Sequence, residues 1–175
     1  MSAVSAVDWH ADIFDALRQH QVRLVSYVPD AGHARLIELC EGEPGMRAVA
    51  LTSEEEGIGL ACGAWLGGER SVLLMQSSGV GKCINALGMV NACRFPFLTL
   101  VTMRGEWGEF NPWQVPMGQA TQATLESMGV IVQRVGELAE AGAMVEAATR
   151  LAYQSSVAVA VLLSQRMIGA KAFKR

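Results

Sequence analysis

Six short apolar runs, separated by stretches of helical spacing, constrain this chain more than any other feature. They are RLVSYV (23–28), MRAVAL (46–51), SVLLMQ (71–76), FLTLVT (97–102), GVIVQRV (129–135) and VAVAVLL (157–163). Apolar runs of this length, bounded by Gly, Pro and Asp, read as strands. Between them the spacing predicts helices over 8–20, 33–40, Glu54–Leu66 and about 82–92, the last after a glycine-rich turn at 77–81. A long loop over 103–118 precedes a helix near 119–128. A final long helix carries Leu138, Ala141, Met144, Val145, Ala148, Leu151 and Ala152 on one face. Strict alternation of this kind implies a doubly wound α/β fold, a single mostly parallel six-stranded sheet with helices on both faces. Strands sandwiched between helices must be apolar throughout, as these are. The 175 residues suffice for one domain with a substantial core and are too few for two, and no repeat or low-complexity linker divides them.

Charge and cysteine content narrow the function classes. The net charge is −3 and no basic run exceeds a few residues, so neither nucleic acid nor an anionic membrane is an expected partner. The cluster Lys171, Lys174 and Arg175 reads as a solvated tail. No apolar run reaches the roughly 18 residues of a membrane span, and the opening MSAVSAVDWHADIF does not read as a signal peptide. Cys40, Cys62, Cys83 and Cys93 form no C-x-x-C pair and sit in apolar surroundings, which suits a reduced, cytoplasmic protein. His10, His20 and His33 have no metal-ligand spacing with a cysteine. At 51% hydrophobic residues, the chain is apolar enough for part of its surface to be covered by another chain, although a buried parallel sheet raises the same figure.

In open parallel sheets, ligands bind beyond the C-terminal strand ends. Four segments fall there: Val28–His33, Thr52–Glu56, Gln76–Gly81 and the 103–118 loop. Two phosphate motifs fail against them. Gly81-Lys82 is followed by Cys83 and preceded five positions back by Gln76, so there is no Walker A loop. Gly57-Ile58-Gly59-Leu60-Ala61-Cys62-Gly63 misses G-x-G-x-x-G by one residue and lies inside a predicted helix, where packing accounts for its glycines. The triplet Glu54-Glu55-Glu56 has an ordinary reading as first-turn carboxylates favoured by the helix dipole. What raises Glu54 above it is the strand end before it and the small-residue helix after it.

Taken together, these residues resemble the pyrimidine-binding domain of thiamine diphosphate (ThDP) dependent decarboxylases. The family pattern starts a helix with a glutamate, followed by small residues three, four and seven positions on and a glycine nine on. Counting from Glu54 gives Gly57, Ile58, Ala61 and Gly63, whereas Glu55 and Glu56 fit the register less well. Met75-Gln76-Ser77-Ser78-Gly79-Val80-Gly81, followed by Asn85, resembles the turn over the aminopyrimidine, and Val28-Pro29-Asp30-Ala31-Gly32 the proline-containing loop after the first strand. The runs SEEEGIGLACGAWLGG, LMQSSGVGKCINALG and RGEWGEFNPWQVPMG are similar to split sulfopyruvate decarboxylases and to phosphonopyruvate decarboxylases. The likeness covers nearly the whole chain. Lys82 departs from it, since relatives often carry a small or amide residue there.

The resemblance implies that residues 1–175 are a pyrimidine-binding domain, with Pro29, Glu54, Gln76, Ser78 and Gly79 around the cofactor. Glu54 would contact the ring nitrogen N1′. A carboxylate shielded from water can share a proton with that nitrogen, which promotes loss of the thiazolium C2 proton and attack on the keto carbon of a 2-oxo acid. Asp30, His33, Lys82, Arg104 and Gln114 are candidates for the substrate side, with Met103, Trp107 and Met117 lining or closing the pocket. Lys82 reads equally as an anion ligand or a solvated lysine, and His33 as a proton-transfer group or a cap. These families bind the diphosphate through Mg²⁺ with a G-D-G…N-N segment, and Mg²⁺ prefers oxygen ligands. No G-D-G occurs here, and the aspartates are Asp8, Asp12, Asp15 and Asp30 alone. A β subunit carrying that segment is therefore implied, in at least an α2β2 assembly, with helix 54–66 as interface. The implied substrate is 3-sulfopyruvate, alternatively phosphonopyruvate or another 3-substituted pyruvate. A non-catalytic scaffold that kept only the fold is the reading of a different class.

Overall fold

The computed structural model describes residues 8–170; Lys171, Lys174 and Arg175 lie outside them. Six parallel strands form one sheet: β1 (Val22–Tyr27), β2 (Arg47–Ala50), β3 (Arg70–Gln76), β4 (Phe97–Thr102), β5 (Ile131–Val135) and β6 (Ala158–Leu163). Their order is β2-β1-β3-β4-β6-β5, and every pairing is parallel, for example Val25 opposite Val72 and Leu100 opposite Val161. The central strands β4 and β6 are buried at every position. Edge strands β2 and β5 are half exposed, because only their inner sides have a neighbour.

Helices cover both faces. On one lie α1 (Trp9–Gln19), α2 (Ala34–Glu41) and α6 (Ala141–Ser155), and on the other α3 (Glu54–Leu66), α4 (Ser77–Cys93) and α5 (Val115–Ser127). Each face has its own core. Ile13, Leu17, Leu36, Val145 and Ala148 pack on Val25, Leu74 and Val161, whereas Ile58, Val80, Leu87 and Leu125 pack on Leu73, Val101 and Leu162. The chain runs outward from β1 to β2 and then turns back past β1 to β3. The loops after β1 and β3 therefore diverge, and a crevice opens between them at the C-terminal sheet edge.

Three expected boundaries are corrected. The predicted glycine-rich turn at 77–81 is the first turn of α4, which leaves β3 without an intervening loop. Helix α5 begins at Val115 rather than near 119, with Pro116 in its first turn, where a missing N–H costs nothing. The last long helix begins at Ala141, Leu138 lying in a preceding 3₁₀ turn, and β6 is followed by a short helix, α7 (Gln165–Ile168). Helix α3 spans Glu54–Leu66 as expected.

Glycines let α3 sit close to the sheet on one side and stay open on the other. A Cβ at Gly57 would stand 2.5 Å from Leu73 Cδ1, whereas one at Gly59 or Gly63 would meet nothing within 4 Å. Gly57→Ala should therefore overpack the core and cost about 1–3 kcal/mol. Gly59→Ala, on the open side, should gain up to about 1 kcal/mol from helix propensity. Urea melts of the two variants, read as opposite displacements of the midpoint, check the assignment of the two faces.

Candidate active site

The acidic triplet at the start of α3 divides its labour. Thr52 donates both its backbone N–H and its hydroxyl to Glu56, and Ser53 Oγ donates to Glu55 Oε2 at 2.6 Å. These two glutamates thus tie the helix start to the residues before it, and the Thr52 contacts hold Glu56 below the usual carboxylate range. Glu54 turns inward instead. It is 5% exposed, and its Oε2 is buried without a hydrogen-bond partner. A buried carboxylate oxygen that accepts no hydrogen bond costs free energy.

Helix α4 makes the wall against which Glu54 lies. A Cβ at Gly79 would stand 2.5 Å from Glu54 Cγ, Cδ and Oε1 alike, so only glycine admits the carboxylate here. The first-turn N–H groups of α4 have no side-chain cap, and Gln76 before them makes none. Lys82, one turn on, places Nζ 3.3 Å from Glu54 Oε2. That spacing is an ion pair by distance, but it lacks hydrogen-bond geometry, since Oε2 remains unpartnered. The lysine side chain is 57% exposed and the glutamate 7%. An ion pair with so exposed a partner contributes about 0–1 kcal/mol and breaks easily.

Asp30 ties the strand-end loops together across the crevice. Its Oδ1 accepts from Gln76 Nε2 at 2.9 Å, and its Oδ2 from Thr102 Oγ1 at 2.7 Å and Gly32 N at 3.1 Å. Ser78 Oγ in turn donates to Gln76 Oε1 at 2.8 Å, which fixes the amide's orientation. Ser77 Oγ, fully buried, accepts from Arg104 N at 3.1 Å. One network therefore connects the exits of β1, β3 and β4, and it ends at Ser78, beside Gly79 and Glu54. Pro29 is exposed in the same β1 exit loop.

Two of the expected substrate residues are placed elsewhere. His33 is fully buried, with Nε2 3.2 Å from the carbonyl oxygens of both Met75 and Leu100. Two acceptors around one nitrogen put the proton on Nε2, and Nδ1 is left buried and unpartnered. Burial pushes the imidazole below its usual pKa. It clamps β3 to β4 behind the loops. Arg104 is 7% exposed and gripped in bidentate fashion by Glu109, through Nε at 2.7 Å and Nη2 at 2.6 Å. Its charge is spent. A cavity of about 160 Å³ lies beside it, lined in part by Asp30, Thr102 and Gly169.

Glu109 and Gln165 are partners that sequence reasoning missed. Gln165, 1% exposed, accepts from Glu106 N and Trp107 N through Oε1 and donates to Glu109 Oε2 through Nε2. They brace the loop before α5, which packs closely on that helix: a Cβ at Gly118 in α5 would fall 1.8 Å from Arg104 O, and one at Gly105 2.5 Å from Gln114 O. The loop also carries Gln114, whose Oε1 is buried and unpartnered. Met117 reaches α4, its sulfur 3.0 Å from where a Gly81 Cβ would stand, and Met103 is buried in the core, while Trp107 is 53% exposed.

A parallel sheet of this order, with a buried carboxylate at the start of α3 packed against the glycine in the first turn of α4, makes the chain a doubly wound α/β domain. Residues 8–122 match the family described as thiamine pyrophosphate enzyme, N-terminal TPP binding domain, and the chain belongs to that family. It is 34% identical to the sulfopyruvate decarboxylase subunit alpha of Methanococcus maripaludis, over 86% of this chain and 91% of that one. It is 31% identical to the sulfopyruvate decarboxylase of Methanosarcina acetivorans, over 71% of this chain and 32% of that longer protein. The fold is shared with a 2-oxoglutarate:ferredoxin oxidoreductase from Magnetococcus marinus, at a TM-score of 0.75 and 18% identity, over 91% of this chain and 29% of that one. Among the described residues no helix is long and apolar enough to cross a membrane.

The Arg104–Glu109 pair gives the site a signature in acid. The guanidinium holds the Glu109 carboxyl down to about 2, from an ordinary 4.5. Its stabilising contribution is complete above pH 4.5 and is lost as pH falls from there towards about 2. Thermal melts over that range should show the wild type losing stability more steeply than Glu109→Gln. At neutral pH Arg104→Met should cost about 3–5 kcal/mol, because it leaves a buried carboxylate without its cation.

Proposed function

We propose that this chain is the α subunit of a split ThDP-dependent 2-oxo-acid decarboxylase, which converts 3-sulfopyruvate to sulfoacetaldehyde and CO₂ together with a partner subunit. The observation that carries the reading is Glu54, a buried carboxylate seated in the space that Gly79 leaves, whose Oε2 accepts no hydrogen bond. A ring nitrogen brought to that oxygen would satisfy it. The sulfopyruvate decarboxylase names of the relatives support the substrate, and the name "subunit alpha" supports the partner.

The chain's own residues then take these roles. Glu54 holds a proton at the ring nitrogen. Gly79 and Ser78 flank the ring, and Pro29 and Gln76 border it from the neighbouring exits. Asp30 orients Gln76 and so, through its amide oxygen, the Ser78 hydroxyl. Gln114 offers an unpartnered amide oxygen from the loop before α5. When bound, thiamine diphosphate supplies the electron sink for the electrons released with CO₂.

Diphosphate and Mg²⁺ binding belong, on this reading, to the β subunit with its G-D-G…N-N segment. The longer relative from Methanosarcina acetivorans supports this division, since the 71% of this chain that matches it covers 32% of its length. The outer face of α3, open at Gly59 and Gly63 and flanked by Leu66 at 82% exposure, is the docking element in an α2β2 assembly. The four unpaired cysteines support a cytoplasmic location. A scaffold has no use for a buried carboxylate held unsatisfied at a crevice.

The test is CO₂ release by the co-expressed pair with ThDP and Mg²⁺, with 3-sulfopyruvate and phosphonopyruvate as competing substrates. Release should require both subunits and favour the sulfonate. Glu54→Gln should fold and assemble normally yet lose about 10²-fold or more in turnover, the scale of a proton-transfer contribution. Near-wild-type turnover by that variant would remove Glu54 from the mechanism.

A further inference from the structure

Two cations stand at the site edge, and they differ in how they are held. Arg104 is locked, its guanidinium taken bidentately by Glu109 and its side chain 9% exposed. Lys82 is loosely held: its ammonium is 3.3 Å from Glu54 Oε2 without hydrogen-bond geometry, and its stem is 57% exposed. Among the described residues, its ion-pair partner is thus the carboxylate that the proposed function assigns to the cofactor ring. A carboxylate cannot give the same oxygen fully to both. Once it shares a proton with a ring nitrogen its negative charge is reduced, and an ammonium beside it loses most of its attraction.

We propose that Lys82 is a specificity residue in reserve: it pairs with Glu54 until the cofactor ring claims that carboxylate, and then binds the anionic group on C3 of the substrate. This rests on the function proposed above and deepens it. The three-carbon acid carries a carboxylate and a sulfonate, and the pyruvate skeleton common to many 2-oxo acids carries only the first. A lysine freed by cofactor binding reads the second charge. It does so from α4, one turn beyond the Ser78-Gly79 wall, where the first-turn N–H groups also favour an anion. The coupling orders the site, because substrate anion and cofactor bind each other's competitor-free state. Such a device requires an exposed, flexible cation rather than a fixed one, which is how Lys82 and Arg104 differ.

The experiment uses the assembled enzyme with its partner subunit and reads binding rather than turnover. Calorimetric affinities are measured for 3-sulfopropanoate, which lacks the reactive keto group, and for propanoate, which also lacks the sulfonate, each with and without ThDP and Mg²⁺. In the wild type, ThDP should tighten 3-sulfopropanoate by about 10-fold or more, the scale of a charge-assisted contact, and propanoate far less. Lys82→Met should abolish that gain and Lys82→Arg should keep most of it. Both substitutions fall on an exposed side chain, and circular dichroism with sedimentation verifies fold and assembly before binding is read. An undiminished gain in Lys82→Met, or no gain in the wild type, overturns the proposal. Failure of the wild-type pair to release CO₂ from 3-sulfopyruvate is a separate result and strikes the underlying function instead.

Discussion

The close approach of α3 and α4 is the constraint on which the site depends. A carboxylate can be buried unsatisfied only if the surrounding structure over-determines its position, since the isolated group would otherwise turn to water. Here the determination comes from both ends. Glu55 and Glu56 fasten the helix start to Ser53 and Thr52, and the missing Cβ of Gly79 leaves a slot with room for the Glu54 side chain and nothing broader. Gly57 performs the same service one turn later by letting α3 settle on Leu73. Ordinary core packing below it, from Ile58 and Ala61, holds Glu54 in place, and the loosely held Lys82 ammonium adds little to it.

Around that slot the loops are joined by polar atoms, a different kind of order. Asp30 accepts from residues at the C-terminal ends of three different strands, which ties the crevice edges to one another. Further out, Glu109 receives Arg104, Gln165 and the N–H groups of Gly105 and Asn111. These interactions add specificity more than stability: each is modest, but leaving any partner buried and alone is costly. The same saturation explains why Asp30 and Arg104 orient other groups and are not themselves at liberty.

Much of this was legible in the chain, and the reasons are local. Strand positions follow from continuous apolar runs, and the end of α3 from Gly67-Gly68 after it. Glu54 stood out because it begins a helix made of small residues. What stayed hidden depends on contacts distant in sequence. Ser77-Ser78-Gly79-Val80-Gly81 reads as a turn because its glycines lower helix propensity, yet those glycines serve close packing against Glu54 and Met117. Gly118 is needed only because Arg104 O passes beside it. Nothing near Gln165 in sequence announces that it holds a loop some sixty residues earlier. His33 has the residue type of a proton carrier, and only the position of two strand carbonyls shows that it is a clamp.

The distribution of indole rings has an optical consequence. Of the four tryptophans, Trp9 is 8% exposed, whereas Trp65, Trp107 and Trp113 are 39%, 53% and 85% exposed. Trp65 rides on α3, and the other two on the loop between β4 and α5 that Gln165 and Glu109 hold in shape. The emission of the chain alone is accordingly dominated by wet indoles, and its colour would shift to the blue on any event that covers them.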